Sequence, residues 1–102
     1  MKKIINGKMY NTETAKELAN RSYSNPRGFD YISETLYQKK TGEYFLYGIG
    51  GASTKYAVSV GIDGWWSGGS EIIPMSELEA RTWMEEYCDA DEYIEVFGEP
   101  EE

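Results

Sequence analysis

Five carboxylates fall within eight residues near the C-terminus: Glu85, Glu86, Asp89, Asp91 and Glu92. Side chains packed this closely have two chemistries open to them, acid–base catalysis by a pair and coordination of a hard cation. The calcium-loop spacing fails. With Asp89 as first ligand, Ile94 stands where the turn glycine belongs and Pro100 where the bidentate glutamate belongs. The chain has no histidine, so the usual general base and commonest metal ligand are both missing. Cys88 has Asp89 beside it and no histidine to activate it, so it reads as a half-buried helix residue and not a nucleophile. Gly48-Ile49-Gly50-Gly51 lacks the strand-then-helix setting and the terminal Gly-Lys-Ser/Thr of a nucleotide loop, and reads as turns between strands. These residues predict a protein that is not an enzyme and uses neither cofactor nor metal. The acidic cluster reads as a solvated helix face together with capping carboxylates at helix starts.

Two other groups could bind rather than react. The tyrosine-rich hairpin with Lys39 and Lys40 at its tip has the makings of a nucleic-acid platform, in which bases stack on sheet aromatics and lysines neutralise phosphates. Ordinary cross-strand packing is the simpler use of the same rings. Trp65 and Trp66 are adjacent, and adjacent strand residues point to opposite faces, so one belongs in the core and the other at the surface. Trp66 is taken as the candidate contact residue.

The elements that must position these groups follow from turn signals and periodicity. Asn6-Gly7 between Ile4-Ile5 and Met9-Tyr10 predicts an opening hairpin. Thr12, or Thr14 with Glu17, can cap a short helix through Ala15, Leu18 and Ala19 that ends near Asn20, and Ser22–Gly28 reads as a loop around Pro26. Lys39-Lys40-Thr41-Gly42 matches a type I turn closed by a glycine bulge. That turn pairs Lys39 with Glu43, Tyr37 with Phe45 and Thr35 with Tyr47. Tyr31, Tyr37, Phe45, Tyr47 and Ile49 then share one face, and Ile32, Glu34, Leu36, Gln38, Tyr44 and Leu46 the other. Alternation from Tyr56 to Ile62 predicts a strand turned back by Asp63-Gly64, and Glu71–Ile73 a last strand stopped by Pro74. Ser76 with Glu79, and Asp89 with Glu92, each form a capping box opening a helix. The first helix carries Ala80, Trp83, Met84 and Tyr87 as its apolar stripe, with Met75 stapled onto Ala80. The second carries Tyr93, Val96 and Phe97 and ends at Gly98. The expected fold is α+β: one domain over residues 1–102, an antiparallel sheet of four to five strands built from hairpins, a short N-terminal helix, two C-terminal helices and a frayed acidic tail at 99–102.

Charge along the chain is lopsided. Residues 1–40 carry eight basic against four acidic side chains, residues 41–70 one against two, and residues 71–102 one against twelve, giving +4, −1 and −11 of the net −8. Asymmetry of this kind points to a charged partner or to solubility. Aromatic residues at 15% argue for a folded domain and against a disordered acidic tail. A single cysteine excludes an intrachain disulfide and suits a reducing cytoplasm, and Ile4-Ile5 is too short for a signal-peptide core. No apolar run is long enough for a bilayer, so neither secretion nor membrane insertion is expected.

Several stretches resemble those of a known group. These are Lys3-Ile4-Ile5-Asn6-Gly7-Lys8-Met9-Tyr10-Asn11-Thr12-Glu13-Thr14-Ala15, Glu34 through Gly48, Ser67-Gly68-Gly69 before Ile72-Ile73-Pro74, and Ala80 and Trp83 before Asp89-Ala90-Asp91-Glu92-Tyr93. The group comprises small, acidic, mostly uncharacterised proteins of phages and mobile elements in Gram-positive bacteria, and the likeness spans nearly the whole chain. Proteins of this kind include anti-CRISPR inhibitors, some of which occupy nucleic-acid-binding channels by mimicking charge. The resemblance implies a non-enzymatic inhibitor acting in the bacterial host cytoplasm on a host protein such as an RNA-guided defence nuclease. The resemblance assigns no residue roles; the acidic helix face itself, Glu77, Glu85, Glu86, Asp89, Glu92 and Glu95, with Trp66, is the expected contact set. Direct nucleic-acid binding through the basic first 40 residues and the tyrosine hairpin is the alternative, handicapped by the net charge.

Overall fold

The computed structural model describes residues 1–25, 28–60 and 65–101, with Trp65 described by its backbone alone. Its centre is a four-stranded antiparallel sheet in the order β3-β4-β5-β8, formed by Lys16–Tyr23, Ile32–Gln38, Tyr44–Gly50 and Gly69–Met75. Two further hairpins stand apart from it: β1 (Lys2–Ile5) with β2 (Lys8–Asn11), and β6 (Val58–Val60) with β7 (Trp65–Ser67). Helices α1 (Glu77–Tyr87) and α2 (Ala90–Phe97) close the chain. The fold is α+β.

Local chemistry sets most of these elements. Asn6 and Gly7 both take positive φ, as the opening two-residue turn requires. Gly42 sits at φ +96°, and the Lys39 and Glu43 backbones meet at 2.8 Å, so the bulged turn holds the register Tyr37↔Phe45 and Thr35↔Tyr47. That register separates two cores. On one face Ala19, Leu36 and Leu46 pack against Ala80, Trp83 and Met84, with Tyr93, Val96 and Phe97 of α2 around them. On the other, Phe45 and Ile72 pack beneath Tyr10 of the first hairpin.

The N-terminal helix is not formed. Asn11 takes control of the segment instead: its Oδ1 accepts from the Glu13 amide at 3.0 Å and its carbonyl accepts from Ala15 at 3.1 Å, making a turn. Lys16–Tyr23 then pairs with β4 along its length. The misleading signal was a β-bulge between Glu17 and Ala19, which lets Leu18 join the same core as buried Ala19. Ala15, Leu18 and Ala19 thereby imitate helical spacing, and a helix of two turns could not compete with full strand pairing. The loop expected from Ser22 starts later, at Ser24, whose φ is +70°. At the other end β8 runs through Pro74, because β8 is an edge strand and the missing amide breaks no ladder bond. The strand expected from Tyr56 to Ile62 is described only at Val58–Val60, and the Asp63-Gly64 turn lies outside the described residues.

Candidate docking surface on the C-terminal helices

Both helices begin where the capping boxes place them. At α1, Ser76 Oγ accepts from the Glu79 amide at 3.1 Å and Glu79 Oε1 from the Ser76 amide at 2.9 Å. At α2, Asp89 Oδ1 accepts from the Glu92 amide at 2.8 Å and Glu92 Oε1 from the Asp89 amide at 3.3 Å. Arg81 joins the two helices, donating to Glu77 at 3.2 Å and to the Tyr93 hydroxyl at 3.1 Å while its guanidinium lies over the Phe97 ring. These contacts divide the six carboxylates of the expected contact set into two groups. Glu77, Asp89 and Glu92 hold the helices in place. Glu85, Glu86 and Glu95 are exposed and make no hydrogen bond or ion pair among the described residues, and Asp91 is like them.

Their position on the helices works against them. Glu85 and Glu86 occupy the last turn of α1 and Glu95 the last turn of α2, where free carbonyls concentrate negative potential, and neither last turn holds a basic residue. Glu85 and Asp89 border an open cleft of about 560 Å³ between the helices, floored by Met84, Cys88, Tyr93 and Ile94. Glu92 and Glu95 border a different depression, about 210 Å³, beside Lys16 and Glu17 on β3. Glu85 with Asp89, and Glu92 with Glu95, therefore border separate depressions. Trp66 belongs to neither, being 56% exposed on the β6–β7 hairpin.

Cys88 is half-buried, and burial and then the nearby Glu92 and Asp89 charges push its thiol up, away from the thiolate form. No group of histidine, cysteine or acidic side chains suited to a metal is found among the described residues. The tyrosine hairpin is occupied internally. Tyr37 stacks on Phe45 with centroids 5.1 Å apart, Tyr10 meets the same ring edge-on, and Lys39 lies 3.6 Å over Tyr10 within reach of Glu43.

One charged site escaped sequence reasoning altogether. Glu34 is 0% exposed in the middle of β4, yet four donors reach it. Arg21 Nε at 2.8 Å and Trp83 Nε1 at 3.1 Å share Oε1, while Lys55 Nζ at 2.7 Å and the Tyr56 hydroxyl share Oε2. Burial alone would raise its pKa, but Lys55, Tyr56, Trp83 and Arg21 together overcome that and hold it at about 2. Burial, and then Glu34 itself, pushes the Tyr56 hydroxyl well up. The Tyr56 ring reaches the carboxylate by lying on Gly48, the cross-strand partner of Glu34, where any side chain would overlap it. A charge at a core-facing strand position, between Ile32 and Leu36, was the available signal. Its cations come from β3 and from the loop after β5, which strand alternation cannot connect.

Comparison with protein-family models, curated proteins and solved structures finds no match to this chain. Within the described residues, no helix is long and apolar enough to cross a membrane.

Proposed function

We propose that this protein is a non-enzymatic inhibitor whose acidic C-terminal helices dock on a basic, nucleic-acid-binding surface of a host protein, of the kind offered by an RNA-guided defence nuclease in the bacterial cytoplasm. The observation that supports this reading is the placement of Glu85, Glu86 and Glu95. Each is exposed, unpaired among the described residues, and set at a helix end whose dipole disfavours it. Carboxylates retained where they cannot help the fold are available to cations on another molecule. Glu77, Asp89 and Glu92 orient the two helices that carry them, and Asp89 adds its charge beside Glu85 at the cleft. Direct nucleic-acid binding through the tyrosine hairpin ranks second, because Tyr37 and Lys39 are already engaged within the molecule.

The test is titration of a candidate nuclease, with and without its guide RNA, at low and high salt. The protein should bind the guide-free form in a strongly salt-dependent way, and Glu85→Lys with Glu86→Lys should weaken binding at least ~10-fold. Affinity indifferent to charge reversal would overturn the proposal.

A further inference from the structure

The cleft between α1 and α2 combines two surfaces of opposite character. Its floor is apolar: Met84 lies near the end of α1, Cys88 at the joint, and Tyr93 and Ile94 on α2. Its rim is acidic, with Glu85 on one helix and Asp89 at the cap of the next, and no basic side chain lines it among the described residues. Arg81 is the one cation on either helix, and Glu77, the Tyr93 hydroxyl and the Phe97 ring already engage it. The last carbonyls of α1 add negative potential at the joint, while the opposite potential at the start of α2 is met by Asp89 with Asp91 and Glu92 behind it. The volume of about 560 Å³ falls inside the roughly 300–1,000 Å³ of clefts that take ligands.

We infer that this cleft receives a lysine or arginine side chain of the partner protein, its methylene stem on Tyr93 and Ile94 and its charged head between Glu85 and Asp89. Charge and apolarity together select that occupant. An anionic group is repelled by the rim. A wholly apolar group presses on Glu85 and Asp89 without pairing them, at a desolvation cost, and a small hydrated cation gains nothing from the floor. Long basic side chains satisfy both surfaces, because the stem covers apolar area while the head stays at the wet edge. The segment beyond α2 is no competitor: Pro100 borders the cleft, but Glu99 and Glu101 flank it with the same charge as the rim. The inference rests on the docking reading above and sharpens it, since the helices then hold one inserted basic residue at a fixed point and do more than attract a basic surface at large.

Two probes test this without a nuclease: hexalysine, and a hexapeptide of 2,4-diaminobutyrate, which carries the same charge at mildly acidic pH on stems two methylenes shorter. They are titrated into the intact protein with labelled isoleucine methyl groups and followed by NMR. Hexalysine should shift the signal of Ile94, 36% exposed in the cleft, and leave that of Ile4, 63% exposed on the first hairpin, in place. The shorter peptide should bind roughly 5-fold more weakly, as stem burial is lost. Glu85→Gln and Glu86→Gln remove equal charge from the same turn, but only Glu85 borders the cleft, so the first should weaken hexalysine at least ~3-fold more than the second. Asp89→Asn, which keeps a good cap, should act like Glu85→Gln. Ile94→Ser should erase the preference for the longer stem. The comparison of the two peptides needs no substitution, so a variant that fails to fold cannot obscure it. Equal affinity for both peptides, or equal losses from Glu85→Gln and Glu86→Gln, would overturn the inference while leaving the salt-dependent docking of a nuclease intact. Conversely, if the nuclease does not bind but hexalysine selects the cleft, the inference stands for another basic partner. Dimerisation in sedimentation runs that Ile94→Ser abolishes would give the cleft to a second copy and overturn it.

Discussion

Glu34 and the pair Glu85–Glu86 are the same functional group in opposite circumstances. Glu34 is fully buried in a strand and receives a hydrogen bond or ion pair from four side chains drawn from β3, the loop after β5 and α1. Glu85 and Glu86 are exposed, close a helix at its unfavourable end, and are met by nothing among the described residues. Where a carboxylate serves the fold, the chain brings donors from distant segments to satisfy it, as a low-dielectric site demands. Where no donor is brought, no contact among the described residues satisfies the charge. The two sites thus separate an acid engaged on all sides within the molecule from acids that nothing engages among the described residues, the contrast on which the proposed docking surface rests.

The sharpest way to break this contrast is Glu34→Ala. Removing the carboxylate leaves Arg21 half-buried without its counter-ion and the Trp83 and Tyr56 donors without acceptors. Loss of one partner from a buried ion pair costs about 3–5 kcal/mol, a large part of the stability of a domain this size. Urea denaturation should show that loss, with β6–β7 and the loop after β5 detaching early, because Tyr56 and Lys55 anchor them. A loss below about 1 kcal/mol would mean that Glu34 merely tolerates its burial.

Acid should reproduce much of the same effect without mutation. The folded pKa of Glu34 is about 2, below the ordinary 4.5. The unfolded chain therefore binds this proton first. The stabilisation is complete above pH 4.5 and disappears as pH falls from there to about 2, and amounts to at most about 3 kcal/mol. Urea midpoints measured at intervals across that window should fall more steeply in the native protein than in Glu34→Gln, which keeps the smaller slope of Glu43 and Glu79, carboxyls that Lys8 and the Ser76 cap also hold below the usual value. Parallel curves for the two proteins would assign the acid sensitivity to other carboxylates.

The sequence made the surface acids easier to find than the buried one, for a physical reason. Capping boxes and helical stripes are local, so Ser76, Glu79, Asp89 and Glu92 identify themselves within four residues, and the Lys39–Gly42 turn sets the β4–β5 register in the same way. The Glu34 cluster draws together Arg21, Lys55, Tyr56 and Trp83, spaced across much of the chain, and only tertiary contact reveals it. Trp66 lay between these cases. Adjacent tryptophans on a strand required one ring outside, and Trp66 is exposed on the β6–β7 hairpin. The N-terminal helix failed because a bulge broke the period on which strand recognition relies, and a local turn at Asn11 redirected the chain.

The smallest expected effect tests the other half of the contrast. Glu85→Ala with Glu86→Ala removes two charges from the last turn of α1, where the helix dipole opposes them and no cation compensates. If these residues belong to the fold, stability should drop. If they are kept for a partner, it should be unchanged within about 0.5 kcal/mol, or rise slightly at low salt as unfavourable dipole interactions and mutual repulsion disappear. Salt separates the two cases further, because screening should shrink any gain, whereas a loss of packing would be indifferent to ionic strength. Thermal melts at low and at moderate salt supply the measurement. A loss above about 1 kcal/mol at both salt concentrations would place Glu85 and Glu86 beside Glu34 as structural groups, and the contrast on which the docking surface rests would collapse.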